Sequence, residues 1–436
     1  MDGRRFARWL SGVAVAGLAV RLAYVVVARR HAPLWGDAYY YQHQADLLLR
    51  GHGFIVPLDY LKFHRVTTAA DHPPLFTLTL AGLDLVGLRS FAAHRVAMAF
   101  IGTGTIVVVG LAGRRVGGER VGLIAAGIAA VDPSFWVNDG LVESETVVLL
   151  AAAVTVLLCY RLWSRPGRAA AAGLGVACGA AALARAEMIL LVPLVAVPLA
   201  AWAAGSLRRA AELSAIVVGA AGVVIAPWVV RNLLAFEHPV YLSDGLDVTL
   251  TVANCPPTYH GDYLGYWRIE CATDHPPPPG GDESVQGIWY RRLAFDYMRA
   301  HPARVPLVMA VRVGRVWGLY RPLQQARLDL IEGRELWVSD LALAWLYPVA
   351  GLSVAGALIL RRRRVPVLPL AGLAVVVSVA TAITYGNTRY RAAAEAGMAV
   401  LAAVAVDAAV GSWRRPEAPE PEASAPIIAR APVGVG

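Results

Sequence analysis

The chain has 436 residues, 57% of them hydrophobic and 16% charged, with a mean hydropathy of +0.52. A soluble protein of this length carries about a quarter charged residues, so a water-soluble globular enzyme is excluded and a polytopic membrane protein is implied. The net charge of +9 arises from 40 basic and 31 acidic residues, but Lys62 is the only lysine and the arginines sit in short loops between apolar runs, an orientation signal rather than a nucleic-acid groove.

In chain order, apolar runs approaching the roughly 20 residues of a spanning helix fall at 9–28, 94–113, 120–136, 145–163, 169–184, 188–205, 210–230, 338–360, 365–384 and 395–413. The N-terminal run has a basic start and no small-residue cleavage site, so it reads as an uncleaved anchor. With both termini cytoplasmic, the arginine clusters of 114–120, 164–168, 206–209 and 361–364 all lie inside, as the positive-inside rule requires. That solution holds only if 74–88, short and interrupted by Asp84, is a re-entrant or interfacial helix within one outer loop, 29–93.

Four segments follow: a catalytic transmembrane module (1–230), an extracytoplasmic segment with interfacial helices (231–337), C-terminal transmembrane helices (338–413) and a Pro/Ala/Glu-rich tail (414–436) that reads as disordered and cytoplasmic. Within 231–337, the arginines of the run after 303 favour the membrane surface over a crossing. Cys159 and Cys178 lie in apolar runs as packing residues, and no CxxC spacing occurs; Cys255 and Cys271 can pair if their segment is outside.

Polar residues then collect on one side. Asp37 opens the outer loop ahead of Tyr39, Tyr40 and Tyr41; His72 precedes a double proline; Arg95, Glu143, Glu145, Arg185, Glu187 and Arg231 lie at outer helix ends; and Tyr385, Arg389 and Arg391 form the last outer turn. Charges at a bilayer edge are costly unless paired or hydrated. Acids and arginines on one face suit an anionic substrate that needs proton abstraction, such as a sugar on a lipid phosphate. Each residue also has a plainer reading: Asp37 suits a helix N-cap, the tyrosines an interfacial belt, His72-Pro-Pro a rigid turn, and Glu143 and Glu145 structural partners for Arg185 or Arg95.

The motifs "GDAYYYQHQADLLLRGHGF", "HPPLFTLTLAGLDLVGL", "HRVAMAF", "VDPSFWVNDGLVESE", "LARAEMILL", "APWVVRN" and "GNTRYRAAAE" together resemble, in order, the GT-C glycosyltransferases of the protein O-mannosyltransferase and lipid A aminoarabinose transferase type, over about residues 10 to 412. The resemblance implies an all-α GT-C-type bundle of about 10 transmembrane helices that moves one sugar from a polyprenyl-phosphate donor to a glycan, glycolipid or protein hydroxyl at the outer face of a bacterial cytoplasmic membrane. It implies Asp37 as the base, although the family often has two adjacent acids where this chain has Asp37-Ala38. It further implies Glu143, with His72 and Glu145, as the acceptor or metal region, and Arg389, Arg391, Arg231 and Tyr385 at the donor phosphate, with Tyr40, Arg95, Arg185 and Glu187 in support. Some relatives use a divalent metal ion, which Asp37 and Glu143 could share; no spacing here demands one. A lipid-linked sugar flippase would place its polar site at mid-membrane, whereas most of these apolar runs lack charges at their centres, with Arg21 and Glu212 as exceptions near one third of a span. A non-catalytic envelope scaffold would need no acid at the donor.

Overall fold

The computed structural model describes residues 3–33 and 36–413. The tail expected to be disordered lies outside the described residues. Apart from one isolated antiparallel bridge between Ile55 and Thr68, the regular structure of the described residues is helical.

Seven helices among the described residues are long and apolar enough to cross a bilayer: Gly3–Arg29, Phe91–Gly117, Glu145–Ser164, Ala186–Ala203, Leu207–Ala235, Leu336–Arg362 and Thr388–Gly411. Glu119–Val131 and Pro133–Leu141 make an eighth if taken as one span bent by 49°. The bend has a local cause. Asp132 leaves the helical conformation and its side chain accepts from the Ser134 amide at 2.9 Å, while Pro133 has no amide hydrogen to continue the first helix. Two expected spans, Arg168–Ala184 and Leu368–Ile383, are apolar helices of only 17 and 16 residues.

The core is built from small side chains. Ala125, Ala126, Ala129, Ala152, Ala171, Ala181, Ala399 and Ala403 are buried in one continuous cluster with Val, Leu and two cysteines, Cys159 and Cys178. Small residues allow close helix approach, the main source of packing energy where lipid removes a hydrophobic driving force. At Gly175 a Cβ would lie 2.3 Å from the Val217 carbonyl, so Arg168–Ala184 and Leu207–Ala235 meet almost backbone to backbone. Large aliphatic side chains such as Val15, Val223, Leu234 and Val354 instead face outward.

The charges within apolar runs are accounted for by partners. Arg21 is fully buried, 2.9 Å from Asp139, and donates to the carbonyls of Gly17, Ala129 and Ala130. Glu212 lies near the start of its helix with Arg168 and Arg209 at 2.5 and 2.6 Å.

Between the first two spans, the chain forms three short helices, Gly36–Leu49, Pro57–Phe63 and Leu75–Leu85. Leu75–Leu85 has 11 residues, a length of about 16 Å at 1.5 Å per residue, roughly half a bilayer's hydrocarbon core. Its Asp84 is buried, with Oδ1 2.9 Å from His94 Nε2.

The segment before Leu336 carries helices Gly245–Ala253, Glu283–Ala300, Val305–Val316 and Pro322–Leu328. Cys255 and Cys271 form a disulfide there. Val305–Val316, at 12 residues, is too short to cross a bilayer. Arg312 and Arg315 on it turn into the protein rather than toward water. Arg312 donates to the carbonyls of Ala253, Ala382 and Ile383, and Arg315 to those of Leu264 and Asp262.

Candidate active site

The fold brings a set of helix ends and connecting turns together. Asp37 stands in the first turn of Gly36–Leu49. His72 precedes Leu75–Leu85, held back from the helix by Pro73 and Pro74. Glu143 sits in the two-residue-wide turn after Val142, a non-glycine residue at φ 62°, and Glu145 opens the next span. Arg185 is the extended residue that ends Arg168–Ala184. Arg389 and Arg391 lie in the single 3-10 turn Thr388–Arg391, whose start is fixed by the Asn387 side chain accepting from the Arg389 amide.

Arg389 is the hub. Its Nη2 donates to Asp37 Oδ2 at 2.8 Å, its Nε to Glu145 Oε1 at 2.8 Å and its Nη1 to Glu332 Oε2 at 2.8 Å, with Glu143 Oε2 3.6 Å from Nη2. The other Asp37 oxygen is 3.7 Å from His72 Nε2. Among the described residues no backbone amide donates to the Asp37 carboxylate, so its partners are side chains of the site rather than the helix end. Arg185 pairs with Glu145 and, at 2.7 Å, with Glu187, and its guanidinium lies 4.7 Å from the centre of the Tyr390 ring.

The carboxyls of this cluster are driven apart. Burial would raise Asp37, but Arg389, His72 and Arg185 outweigh it and hold the carboxyl well below the usual range. For Glu143 burial prevails: the pull of Arg389 is offset by Glu145, Glu332 and Asp37, and the carboxyl is pushed well above its ordinary value. Glu332 is also raised, by burial and by Asp37 against the pull of Arg389. Asp37 is thus lowered and Glu143 raised within one cluster, the kind of separation that lets neighbouring carboxyls take different roles.

A narrow cleft opens beside the cluster. Glu145, Arg185, Glu187, Arg389 and Tyr390 form its polar end, and Val148, Met188, Val376, Val377 and Ala380 are part of its apolar wall. The cleft is basic and acidic at one end and apolar along its wall, and it is nearly closed, with room for about one water. Asp37 and Glu143 both approach Arg389, so a guanidinium already stands where a shared metal ion would need to be; these two residues do not fit an ion in this arrangement.

The other expected residues have partners of their own, some beside the cluster and some away from it. Arg231 donates to the carbonyls of Phe54 and Ala69 and to Asn232 Oδ1, clamping the loop between the first two spans. Arg391 is buried against Glu395 at 2.7 Å and the Val316 carbonyl. Arg95 donates to the carbonyls of Arg29, Ala32 and Gly140. Tyr385 packs between Trp267 and Tyr390. Tyr40 donates to Asp71 at 2.7 Å and its ring is 5.2 Å from that of His72. Glu332 was not anticipated; the one local sign is the acid before Gly333, which takes φ 76° and ends the 3-10 turn Asp329–Glu332.

Residues 71–230 match the family model described as dolichyl-phosphate-mannose-protein mannosyltransferase. In structure the chain is similar to the oligosaccharyltransferase of Archaeoglobus fulgidus in its apo form, with a TM-score of 0.54 at 14% identity over 94% of this chain and 51% of that one. The chain has a GT-C fold. This bears out the all-α polytopic bundle expected from the motif order. The same archaeal enzyme, AglB, in complex with an inhibitory peptide and a dolichol-phosphate gives a TM-score of 0.53 at 13% identity over 93% of this chain and 50% of that one. ArnT from Cupriavidus metallidurans bound to undecaprenyl phosphate matches with a TM-score of 0.41 at 20% identity, over 92% of this chain and 79% of that one. This GT-C chain spans about half the length of the archaeal enzymes it matches. No curated protein matches it in sequence. The matched 71–230 region holds His72, Glu143, Glu145, Arg185 and Glu187, whereas Asp37, Glu332 and Arg389 come from outside it.

Proposed function

We propose that this multi-span membrane protein is an inverting glycosyltransferase that moves one sugar from a polyprenyl-phosphate donor to an acceptor hydroxyl at the outer face of a bacterial cytoplasmic membrane. The observation that carries the reading is the contact of Arg389 with Asp37 at the polar end of an apolar-walled cleft. Arg389 and Arg185 would receive the donor phosphate while the lipid lies along the apolar wall. Arg389 has to loosen its hold on the carboxylates to do so, and this frees Asp37 when donor is present. Asp37 would then take the proton of the acceptor hydroxyl as its oxygen bonds to the anomeric carbon, and the carbon–oxygen bond to the phosphate breaks with polyprenyl phosphate leaving. One displacement inverts that carbon. The guanidinium steadies the growing phosphate charge, and holding both substrates at one helix-end cluster supplies orientation.

In this reading 1–230 together with 338–413 forms the catalytic transmembrane body, and 231–337 presents the acceptor, be it glycan, glycolipid or protein. The 231–337 segment reaches the turn that carries Arg389: the Gly386 amide donates to the Gly265 carbonyl, and Glu332 pairs with Arg389.

The test uses purified protein, a panel of labelled polyprenyl-phosphate sugars, and membranes from source cells lacking the gene as acceptor. Wild type should consume one donor and form product, whereas Asp37→Asn should bind that donor and not consume it. Donor bound but never consumed by wild type would make the protein a transporter or scaffold. Equal turnover by Asp37→Asn would remove Asp37 from the chemistry.

A further inference from the structure

A cavity of about 410 Å³ lies apart from the Arg389 hub, where Gly36–Leu49 and Leu75–Leu85 end and the span Phe91–Gly117 begins. Its size falls within the roughly 300–1,000 Å³ of small-ligand sites. Gln42, Asp46, Arg50, Asp84, Arg89 and Phe91 line it. Gln42 and Asp84 are more than nine-tenths buried and are braced by the fully buried His94 ring. Its Nδ1 lies 2.5 Å from Gln42 Oε1 and its Nε2 2.9 Å from Asp84 Oδ1. Each side chain has a second polar atom, Gln42 Nε2 and Asp84 Oδ2, with no protein hydrogen-bond partner among the described residues. Buried polar atoms left so are costly unless something enters the cavity to meet them.

The charges of the cavity are layered. The Asp84 carboxylate and the Gln42 amide are its buried part, whereas Arg50 and Arg89 are exposed at its mouth. Arg50 pairs with Asp46 at 2.9 Å in open solvent. Arg89 Nε donates to the Asp84 carbonyl at 3.2 Å, and no acid among the described residues pairs with its terminal nitrogens. The helix ends agree with this layering. Two helices bring their C-terminal ends, which favour a cation, and the third brings its N-terminal end, which favours an anion. Leu85, Val86, Leu88 and Phe91 are exposed in the turn that leads into the span. Opposite charges therefore stand beside an apolar rim at the start of a membrane helix.

We propose that this cavity binds the headgroup of a phospholipid with a primary amine, of the ethanolamine class. The ammonium would donate to Asp84 Oδ2, the phosphate would meet Arg89 and Arg50, and the acyl chains would pass over the exposed 85–91 turn. A trimethylammonium headgroup has no N–H to give Asp84, and a glycerol headgroup brings a phosphate without a cation, so both fit less well. The site is separate from the Arg389 cluster, since Asp46 follows Asp37 by nine residues, about 14 Å along Gly36–Leu49. The lipid would tie the far end of the Asp37-bearing helix to the start of a span. The inference does not require the proposed sugar transfer.

The test is lipid binding to the full-length protein, purified in detergent and delipidated, followed by native mass spectrometry and thermal unfolding without donor. Phosphatidylethanolamine, phosphatidylcholine and phosphatidylglycerol with the same acyl chains are added in mixed micelles, and soluble phosphoethanolamine in a separate arm. Wild type should bind phosphatidylethanolamine in preference to the other two and unfold at higher temperature with it. Arg89→Gln and Asp84→Asn should each weaken that binding roughly tenfold or more, the effect of one lost contact to a charged group, while Asp37→Asn retains it. Arg89 is exposed and precedes the span, so Arg89→Gln decides alone if Asp84→Asn fails to fold. Equal effects of the three lipids, or a preference that survives in Arg89→Gln, would overturn the proposal. Loss of the preference in Asp37→Asn alone would place the lipid at the Arg389 cluster and overturn it equally. Soluble phosphoethanolamine binding as tightly as the lipid would make the ligand a free phosphate ester and overturn the lipid assignment. Failure of the sugar-transfer reading would leave all these readouts unchanged.

Discussion

Arg389 Nη2 and Asp37 Oδ2 stand 2.8 Å apart although 352 residues separate them in the chain. The pairing has a chemical consequence, because a carboxylate held by a guanidinium is a weak base until the guanidinium is drawn elsewhere. The lowered Asp37 carboxyl stays ionised as pH falls, so wild-type kcat/KM should show no loss from this group across the mildly acidic range. Arg389→Gln removes the main lowering influence and leaves burial, which raises the carboxyl. The acid limb of kcat/KM should then move to higher pH. The transfer rate at its optimum should fall by about 10²–10³-fold, as for loss of one preorganised donor to a developing anion. An unchanged acid limb in Arg389→Gln would show that Asp37 is not the group titrating in the reaction.

Glu143 should respond oppositely to Asp37. Its carboxyl is pushed up, mainly by burial, so the charged form is the one its surroundings disfavour. Glu143→Gln keeps the shape and removes only the charged form that burial disfavours, so it should change unfolding stability by less than about 1 kcal/mol. It should also retain most transfer activity, whereas Asp37→Asn abolishes it. Thermal unfolding and turnover of the two variants side by side make the comparison; a Glu143→Gln enzyme as dead as Asp37→Asn would mean that Glu143 works as an anion.

How far the sequence revealed this site depends on what each residue has around it. The helical bundle was legible because span length and arginine placement are local and physical, and Asp37, His72, Glu143, Glu145 and Arg389 were legible because each sits in a short motif at a helix end. Which arginine meets which acid was not, because the acidic partners of Arg389 come from three separate segments. Arg231 and Arg391 read equally well as phosphate ligands until the carbonyls and the glutamate that engage them are seen. Glu332 stands in a charged loop of ordinary composition, "LDLIEGRE", and only the fold gives it Arg389 and Asn387 as partners.

The disulfide closes the loop that the Arg315 guanidinium grips from below. Cys255 and Cys271 are 16 residues apart, and Arg315 donates to the carbonyls of Asp262 and Leu264 between them. A closed loop of this size stabilises by about 3 kcal/mol in the chain-entropy account. The double variant Cys255→Ser, Cys271→Ser should lower the unfolding temperature and raise KM for the acceptor, with donor binding little changed because the cleft lies on other helices. Equal loss of donor binding would tie the loop to the lipid-phosphate site instead.

Gly356 places the helix that follows the Arg389 turn. On Leu336–Arg362, a Cβ at this position would stand 1.9 Å from the Leu401 carbonyl of Thr388–Gly411, and Ser353, one turn earlier, donates to the Met398 carbonyl at 3.0 Å. No side-chain rotation relieves a clash with backbone, so Gly356→Val has to push the two helices apart. Overpacking of this kind costs typically 1–3 kcal/mol, roughly, and more where nothing can yield. Because Thr388–Arg391 leads directly into the displaced helix, the shift reaches Arg389 and its 2.8 Å contacts as well. Gly356→Val should therefore lose both thermal stability and donor affinity, while Gly351→Ala on the same helix, where a Cβ meets nothing within 4 Å, should lose neither. Donor affinity that survives in Gly356→Val despite a lower unfolding temperature would show that the Arg389 turn is held by its ion pairs rather than by the helix behind it.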